Sequence, residues 1–521
     1  MHGPDVEAFI GLLVAVAIVA TAVRIVRLPY TVALVLVGLA FALAPGAPRL
    51  QLTPTIILTV FLPVLLFHAA YNLSLADVRA NLTPIALLAF PGVAATAGLI
   101  AAALHLVAGL PWETALLFGV IVGATDPVAV LGVFKEVGAP RRLATIVNAE
   151  SLFNDGVALA LFSVLLDIFA HGNIGVAETA QRIVVTVAGA GALGAAVGVL
   201  GSFVVSRIDD ALLETTITLI MAYGGYLLAQ KLEVSGALET VVAGLALGAF
   251  GQRVMSPTTR LEAGATWEFL DFLANSLLFL LVGLQLRPVG VATLRSLPHV
   301  DLWIPLIVSL VAASTARGLI VWLVGLVLES IGRPLPRGWR AIITWAGLRG
   351  AVSLAAALSL PASTPQRDLL LALTFGLVLF TLLVQGLTMQ PLMARLGVSS
   401  LLASRHDLEI ARGRLRAVEA AAREVVALHR DHDVDDAVAE KLDKEYAERR
   451  KDLRREIAAM KPDSGVEEKQ QDVAATRRLL RVQHDALNDA FARGQLSRTS
   501  LRELLREVDD DLARLEPELE E

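Results

Sequence analysis

Long apolar stretches, separated by short polar turns, run through the first 400 residues of the chain. A helix needs about 20 mostly apolar residues to cross a bilayer, more if it is tilted and fewer if it is interrupted. The pattern therefore predicts an all-α, polytopic membrane protein. By that measure the sequence predicts thirteen spans, which begin near residues 7, 29, 52, 82, 114, 143, 180, 211, 233, 266, 302, 338 and 366.

Beyond residue 400 the pattern becomes that of soluble helices rich in Ala, Glu, Arg and Leu. Ser500 and Glu503 have capping-box spacing, and the leucine stripe that follows favours a packing or dimerising face. We predict two domains, a transmembrane domain at 1–400 and a helical cytoplasmic tail at 401–521. The predicted tail helices cover residues 408–430, 434–460 and 467–493, and a last one begins at Ser500.

Composition and charge support this division. Hydrophobic residues make up 55% of the chain and its mean hydropathy is +0.65, which excludes an ordinary soluble protein. Of the 44 basic and 50 acidic residues, 21 of each lie in residues 1–400 and the tail carries 23 basic and 29 acidic ones. The tail has no polybasic block that would indicate a nucleic-acid partner. The absence of cysteine excludes thiol catalysis, disulfides and cysteine-bound metals.

The Lys and Arg residues of the loops predict the orientation, because cytoplasmic loops carry an excess of them. With the N-terminus outside, thirteen of these cations fall on the inner side and six on the outer side. We therefore expect an outside N-terminus and a cytoplasmic tail in a plasma membrane, and the Ala- and Arg-rich composition favours a bacterial inner membrane. The inner set is Arg24, Arg27, Arg79, Lys135, Arg141, Arg142, Arg207, Arg253, Arg260, Arg333, Arg337, Arg340 and Arg395, and the outer set is Arg49, Arg182, Lys231, Arg287, Arg295 and Arg367.

Five ionisable residues lie at the middle of apolar spans, where a charge costs at least about 2.5–3.5 kcal/mol. Asp126 is in the fifth span, Glu150 and Asp155 are in the sixth, Arg317 is in the eleventh and Arg349 is in the twelfth. Three carboxylates and two guanidiniums, which stay charged, leave one positive charge missing. A single Na⁺, K⁺ or proton would complete the site, as one-for-one exchange requires.

The fifth span should be interrupted at Gly123–Ala124–Thr125–Asp126–Pro127. Proline removes a backbone donor and clashes with the preceding turn, so the helix unwinds. The freed carbonyls, with the oxygens of Thr125 and Asp126, would suit a small, hard cation. A simple proline kink is the alternative, but the adjacent buried aspartate favours a functional role.

The twelfth span contains Gly347 and Gly350 on either side of Arg349, which permits an unwound segment or close helix packing. An inverted repeat would pair spans 1–6 with spans 8–13, so that the fifth span corresponds to the twelfth. Interruptions at matching positions of two halves indicate a transporter binding site. We therefore predict two interrupted helices that cross at the site.

The sixth span carries Glu150, Ser151, Asn154 and Asp155, and the pairs four residues apart occupy adjoining strips of one helix surface. A polar surface at this depth must face protein or water. A hydrogen-bond network that only joins helices is the alternative. Such a network does not need an ionisable group, and Asp155 has no basic neighbour on its own helix, so the surface favours an ion site.

Residues 1–400 resemble the electroneutral sodium/proton antiporters of the cation/proton antiporter superfamily. The resemblance implies a transporter, not an enzyme, that exchanges Na⁺, with Li⁺ as a second substrate, for H⁺ one for one by alternating access. It also implies a homodimer in a lipid bilayer, a role in pH homeostasis, and no cofactor besides the transported ions. The matching motifs are A-T-D-P-V-A (124–129), N-A-E-S-L-F-N-D-G (148–156), A-R-G (316–318), G-L-R-G (347–350) and V-Q-G-L-T (384–388).

The resemblance implies roles for the polar residues of the fifth and sixth spans. Asp155 would bind either the cation or a proton. Ser151, Thr125 and Asp126 would add oxygen ligands for Na⁺, directly or through water. Asn154 precedes the carboxylate as in electroneutral members of the family, whereas electrogenic relatives have two aspartates.

By the same resemblance Glu150 would be a structural anion paired with Arg349, Arg317 or both.

Two positions depart from the family pattern. His68 stands where many relatives carry an acidic residue, which leaves a peripheral ligand in doubt and would add a group that titrates near neutral pH. A histidine that is only hydrogen-bonded near the site is the alternative. Glu239 replaces an expected apolar residue, and a position near the outer interface would explain it.

Other functions remain open at this point. Exchange of K⁺ for H⁺ would use the same machinery, because oxygen ligands at unknown distances do not separate Na⁺ from K⁺. A cation channel would need a continuous polar pathway rather than a compact buried cluster. An intramembrane hydrolase could use paired aspartates, but the chain has no His-Glu-x-x-His motif and arginine pairing would occupy the acids. The tail could be a regulatory or partner-binding module.

Overall fold

The computed structural model describes residues 3–26, 30–43, 54–171, 176–208, 210–251, 255–296, 299–398, 403–430 and 436–459, with Ser500 and Leu504. Throughout these residues the regular structure is helical, with no β-strand. The helices are, in chain order, α1 Gly3–Val26, α2 Tyr30–Leu43, α3 Ile57–Tyr71, α4 Leu75–Ala80, α5 Leu82–Ala108, α6 Trp112–Ile121, α7 Val128–Val137, α8 Arg141–His171, α9 Val176–Val205, α10 Ala211–Lys231, α11 Gly236–Gly251, α12 Pro257–Ser296, α13 His299–Ser330, α14 Arg337–Trp345, α15 Ala351–Leu358, α16 Arg367–Arg395, α17 Ala403–Arg430 and α18 Asp436–Ala459.

The long apolar helices agree with a polytopic membrane protein. Within the described ranges, seven helical stretches are long and apolar enough to cross a bilayer, and five shorter apolar helices accompany them. Each of the thirteen predicted spans coincides with one of these twelve stretches or with the interrupted pair α14–α15. The predicted all-α, polytopic fold is confirmed.

The chain divides into two compact units, Met1–Ala403 and Ser404–Glu521. In the second unit the first two predicted tail helices are found as α17 and α18, and Arg454 of α18 pairs with Glu419 of α17 at 2.9 Å. The two later tail helices predicted from the sequence lie outside the described residues, apart from Ser500 and Leu504.

Both predicted interruptions occur at the expected residues. The helix of the fifth span ends at Ile121 and resumes at Val128, and that of the twelfth span ends at Trp345 and resumes at Ala351. The two unwound segments lie against each other at the predicted crossing, where the backbone N–H of Asp126 donates to the carbonyl of Leu348 at 2.7 Å. Pairing the segments satisfies backbone groups that would otherwise be unpaired within the bilayer.

Glycines and π-helical turns allow the other helices to pack closely around this crossing. A side chain at Gly350 would overlap the carboxylate of Asp126, and one at Gly119 of α6 would overlap the carbonyl of Ala97 in α5. A π-helical turn at Thr381–Gln385 interrupts α16 beside the second break. Such turns are frequent at functional sites, and this one presents a hydroxyl to the crossing.

Candidate functional site

The carboxylate of Asp126 lies where two helices begin. Its Oδ1 accepts a hydrogen bond from the backbone N–H of Val128 at 2.9 Å, in the first turn of α7. The same side chain lies against Gly350, the residue that precedes α15. A helix N-terminus has unpaired N–H groups and a partial positive charge, which stabilise an anion. The N-termini of two helices therefore stabilise this half-buried carboxylate.

Arg349 makes the reciprocal contact with the other broken helix. Its guanidinium is buried and donates to the carbonyls of Gly123 and Ala124, just beyond the end of α6, at 3.0 and 2.9 Å. Its backbone N–H donates to Oγ1 of Thr381 at 3.1 Å. A cation at a helix C-terminus stabilises the unpaired carbonyls there. Each unwound segment thus contributes the charge that compensates the ends of the other.

Glu150 pairs with Arg317, which resolves the choice between the two arginines. Nη1 and Nη2 of Arg317 donate to Oε1 and Oε2 of Glu150, both at 2.8 Å, and the two side chains are 7% and 1% exposed. Among the described residues, no carboxylate forms an ion pair with Arg349, so a pair between Glu150 and Arg349 is not found. A bidentate pair of this kind fixes geometry as well as charge.

Asn154 joins this ion pair to the first break. Its amide nitrogen donates to Oε1 of Glu150 at 2.9 Å and to Oγ1 of Thr125 at 2.6 Å. Its amide oxygen accepts the backbone N–H of Thr125 at 3.2 Å. A carboxylate at this position could not donate either of the first two bonds. The asparagine therefore positions the unwound segment on α8.

Asp155, the next residue on α8, is buried and has no such partner. Its carboxylate has no hydrogen bond or ion pair within the described part of the chain, and the side chain is 7% exposed. Asp126, Glu150 and Arg349 lie within electrostatic range of it. A buried carboxylate without a fixed partner costs free energy unless it binds a cation or a proton. Asp155 is therefore the group in this cluster that needs a ligand.

The atoms near Asp155 that could bind a cation are oxygens. The hydroxyl of Ser151, one turn earlier on α8, donates to the carbonyl of Thr125. Asp126 adds a second carboxylate, and Thr125 adds both a carbonyl and a hydroxyl oxygen. Carboxylate, carbonyl and hydroxyl oxygens are ligands for small, hard cations. The structure therefore brings together all four residues predicted as cation ligands.

The next residue, Gly156, allows α11 to pack closely against α8. A side chain at Gly156 would overlap Leu238 of α11. The hydroxyl of Ser235, the N-cap of α11, donates to the carbonyl of Gly156 at 3.0 Å. These contacts pack α11 against α8 at the residue that follows Asp155.

His68 lies on α3 and contacts a residue that we did not predict. Its Nδ1 is 3.4 Å from Oδ1 of Asp271 in α12, and the two side chains are 18% and 29% exposed. Asp271 also lies within electrostatic range of Asp126. The sequence signal was an acid in the tenth apolar span, and the predicted start near residue 266 placed it away from the middle. The described apolar helix covers Thr259–Gln285 and places Asp271 near its middle.

Glu239 lies in the first turn of α11 and is fully buried among the helices; its position near the outer interface stays a prediction. Its side chain is 0% exposed and lies against Gly225 of α10, where any side chain would overlap it. Oε2 accepts a hydrogen bond from the hydroxyl of Thr240 at 3.3 Å, and Oε1 has no partner in the described residues. The residue therefore belongs to the packing of α9, α10 and α11, which the position of Glu239 in its span did not reveal.

Comparison with known proteins identifies the family of the chain. The family model for the sodium/hydrogen exchanger, transmembrane, matches residues 11–395. The Na⁺/H⁺ antiporter ApNhaP of Aphanothece halophytica is 39% identical over 407 residues, which cover 75% of this chain and 76% of that protein. The Na⁺/H⁺ antiporter NhaS2 of Synechocystis sp. is 32% identical over 517 residues, which cover 98% of this chain and 94% of that protein.

The fold has a counterpart among solved structures. The sodium proton antiporter MjNhaP1 from Methanocaldococcus jannaschii matches with a TM-score of 0.61 and 21% identity, over 76% of this chain and 100% of that one. At this identity the match shows the shared fold. The family model and the two relatives show that this chain belongs to the sodium/hydrogen exchanger family, a group of transporters within the cation/proton antiporter superfamily.

Proposed function

We propose that this protein exchanges Na⁺ for H⁺ across a membrane, with one cation or one proton held at Asp155 at a time. The observation that carries the proposal is a buried carboxylate without a fixed partner, beside the oxygens of two crossed, interrupted helices. The names of the relatives, which are Na⁺/H⁺ antiporters, support Na⁺ as the cation.

In this mechanism the two substrates compete for one group. Na⁺ binds the ionised Asp155 with help from Ser151, Thr125 and Asp126, and a proton neutralises the same carboxylate when Na⁺ leaves. Glu150 and Arg317 hold the surrounding helices and do not change partners. Alternating access of this site to the two sides of the membrane then couples the two fluxes. No cofactor is needed beyond the transported ions.

The proposal is tested by proton flux in sealed vesicles that contain the purified protein, with Na⁺, Li⁺ and K⁺ added in turn. We expect Na⁺ and Li⁺ to drive proton movement and K⁺ to drive little. Proton movement driven by K⁺ alone would favour the K⁺/H⁺ alternative. Cation flux that does not saturate, and is not coupled to protons, would indicate a channel.

Transport should be electroneutral. Asp126, Glu150 and Asp155 give three negative charges and Arg317 and Arg349 give two positive ones, so that either Na⁺ or H⁺ supplies the missing charge. Setting a membrane potential with K⁺ and valinomycin should leave the initial rate of Na⁺-driven proton flux unchanged. A rate that rises steeply with voltage would mean that more than one proton moves per cation.

The tail should be dispensable for the exchange itself, since all five charged residues of the site precede residue 400. A chain that ends at Ala403, the last residue of the first compact unit, should keep Na⁺-driven proton flux when compared at equal amounts of assembled protein. The pH dependence of the rate would shift if the tail regulates transport. A correctly assembled truncated protein with no exchange at any pH would make the tail an obligatory part of the mechanism.

The remaining expectations belong to the same proposal. The thirteen-to-six distribution of loop cations supports an outside N-terminus and a cytoplasmic tail in the plasma membrane of the cell. The resemblance to antiporters that work as dimers supports a homodimer. Cross-linking of the purified protein tests the homodimer. Labelling of single introduced cysteines in α17 with a membrane-impermeant reagent, in intact cells and in everted vesicles, tests the side on which the tail lies.

A further inference from the structure

Four cations form a continuous strip along one side of α18, in the tail. One shallow depression on this side is lined by Ala447, Arg450, Lys451, Arg454, Arg455 and Ala458. The last five of these positions follow Ala447 by three, four, seven, eight and eleven residues, which is the spacing of one face of an α-helix. All four cations are exposed. We call these four residues the basic strip of α18.

The acids of this part of α18 lie on a different side of the helix. Successive residues of an α-helix are rotated by about 100°, so Glu448, Asp452 and Glu456 fall together outside the basic strip. Among the described residues, Arg454 is the one member of the strip with an acidic partner, Glu419 of α17, at 2.9 Å in an exposed pair. The two signs are interspersed in the sequence, and the helix separates them.

The chain itself keeps the basic strip within reach of a membrane. The last apolar helix, α16, ends at Arg395, and α17 begins at Ala403 after a connection of only seven residues, 396–402. Arg454 contacts Glu419, which is 16 residues, or about 24 Å, along α17 from Ala403. A segment tethered by so short a connection meets the surface of the bilayer at a high effective concentration.

We propose that the basic strip of α18 is a docking surface for the anionic phospholipid headgroups of the membrane that holds the protein. Arg and Lys donate hydrogen bonds to phosphate oxygens, and a cluster of exposed cations on one helix face matches the negative surface of a bilayer. The depression holds alanines beside the cations, so it lacks the large apolar anchors of a protein-binding surface. This inference does not depend on which ions the transmembrane domain exchanges.

A fluorescent label on α18 tests the docking in the full-length protein. The chain has no cysteine, so Ala458→Cys, at an exposed position at the end of the strip, provides a single labelling site. The labelled protein is placed in nanodiscs that contain a lipid carrying an energy acceptor. Energy transfer should be high in phosphatidylcholine mixed with phosphatidylglycerol and low in phosphatidylcholine alone. Added salt should lower the transfer in the anionic mixture, because salt screens exposed charges.

Removing charges from the strip and from elsewhere on α18 identifies the face that docks. Arg450→Gln with Lys451→Gln should reduce the ratio of docked to undocked tail on the anionic mixture by roughly tenfold, and it leaves the pair between Arg454 and Glu419 in place. The matched control is Lys441→Gln with Arg449→Gln, which removes two exposed cations of the same helix outside the strip. The control should dock as the parent does.

Three results would overturn the proposal. Equal energy transfer in the two lipid mixtures, or transfer in the anionic mixture that persists at high salt, would show that headgroup charge does not hold the tail. A control variant that undocks as far as the strip variant would mean that the net charge of α18, and not this face, binds the lipid. If the strip variant does not assemble, the lipid and salt dependence of the labelled parent decides.

Discussion

Replacing Asp155 by Asn should reduce Na⁺-driven proton flux to the level of empty vesicles, while the protein still folds. The amide keeps the size of the side chain but neither binds a proton at neutral pH nor offers a negative charge to Na⁺. Because the carboxylate has no hydrogen bond in the described structure, its replacement should not break the surrounding network. The measurement is flux in reconstituted vesicles, at amounts of protein matched by gel filtration.

The matched control for this variant is Asp167→Asn. Asp167 lies near the C-terminal end of α8, where it is half-exposed and pairs with Arg182. The same chemical change there should leave the flux as in the parent. Substantial Na⁺-driven proton flux in a well-folded Asp155→Asn protein would remove Asp155 from the centre of the mechanism.

Replacing Glu150 by Gln should destabilise the protein by about 3–5 kcal/mol, because a buried guanidinium that loses its anion remains uncompensated. The two hydrogen bonds of 2.8 Å from Arg317 and the bond from Asn154 all end on this carboxylate. Thermal unfolding of the purified protein in detergent should therefore begin at a clearly lower temperature. The apparent affinity of the remaining folded protein for Na⁺ should change much less.

An exposed pair provides the comparison. Glu178 pairs with Arg182 at 3.1 Å, with both side chains about half-exposed, and Glu178→Gln should cost no more than about 1 kcal/mol. If Glu150→Gln is as stable as the parent but no longer binds Na⁺, then Glu150 is a ligand of the cation and its pairing with Arg317 is secondary.

The fold could be predicted to a large extent because its main features leave local signals. A run of about 20 apolar residues is needed to cross a bilayer, so spans are visible without any tertiary information. Pro127 cannot continue a helix, and Gly347 and Gly350 allow an unwound segment, so both breaks were visible as well. Charged residues in the middle of such spans are costly, and this singled out Asp126 and Asp155.

The contacts between distant helices could not be predicted in the same way. Glu150 and Arg317 are 167 positions apart, and their pairing depends on how α8 and α13 are rotated about their axes. The sequence places Arg349 at the same depth, but only the crossing of the two breaks directs it to the carbonyls of Gly123 and Ala124.

Position along a span was also a poor guide to burial. Glu239 is near the start of its span, yet helices packed around it bury it completely. Asp271 was overlooked because the predicted span began near residue 266, whereas the apolar helix covers Thr259–Gln285 and places this acid near its middle. Its contact with His68 of α3 depends on packing between helices that are distant in the sequence.

The central claim, that Na⁺ and H⁺ compete for Asp155, is tested most directly by counting the protons released when Na⁺ binds to the purified protein. Calorimetric titration in two buffers of different ionisation enthalpy gives that count without transport. Near the pH at which exchange is fastest, Na⁺ binding to the parent should release protons. Asp155→Asn should release none. Na⁺ binding by the parent without proton release, or the same release by Asp155→Asn, would contradict the account.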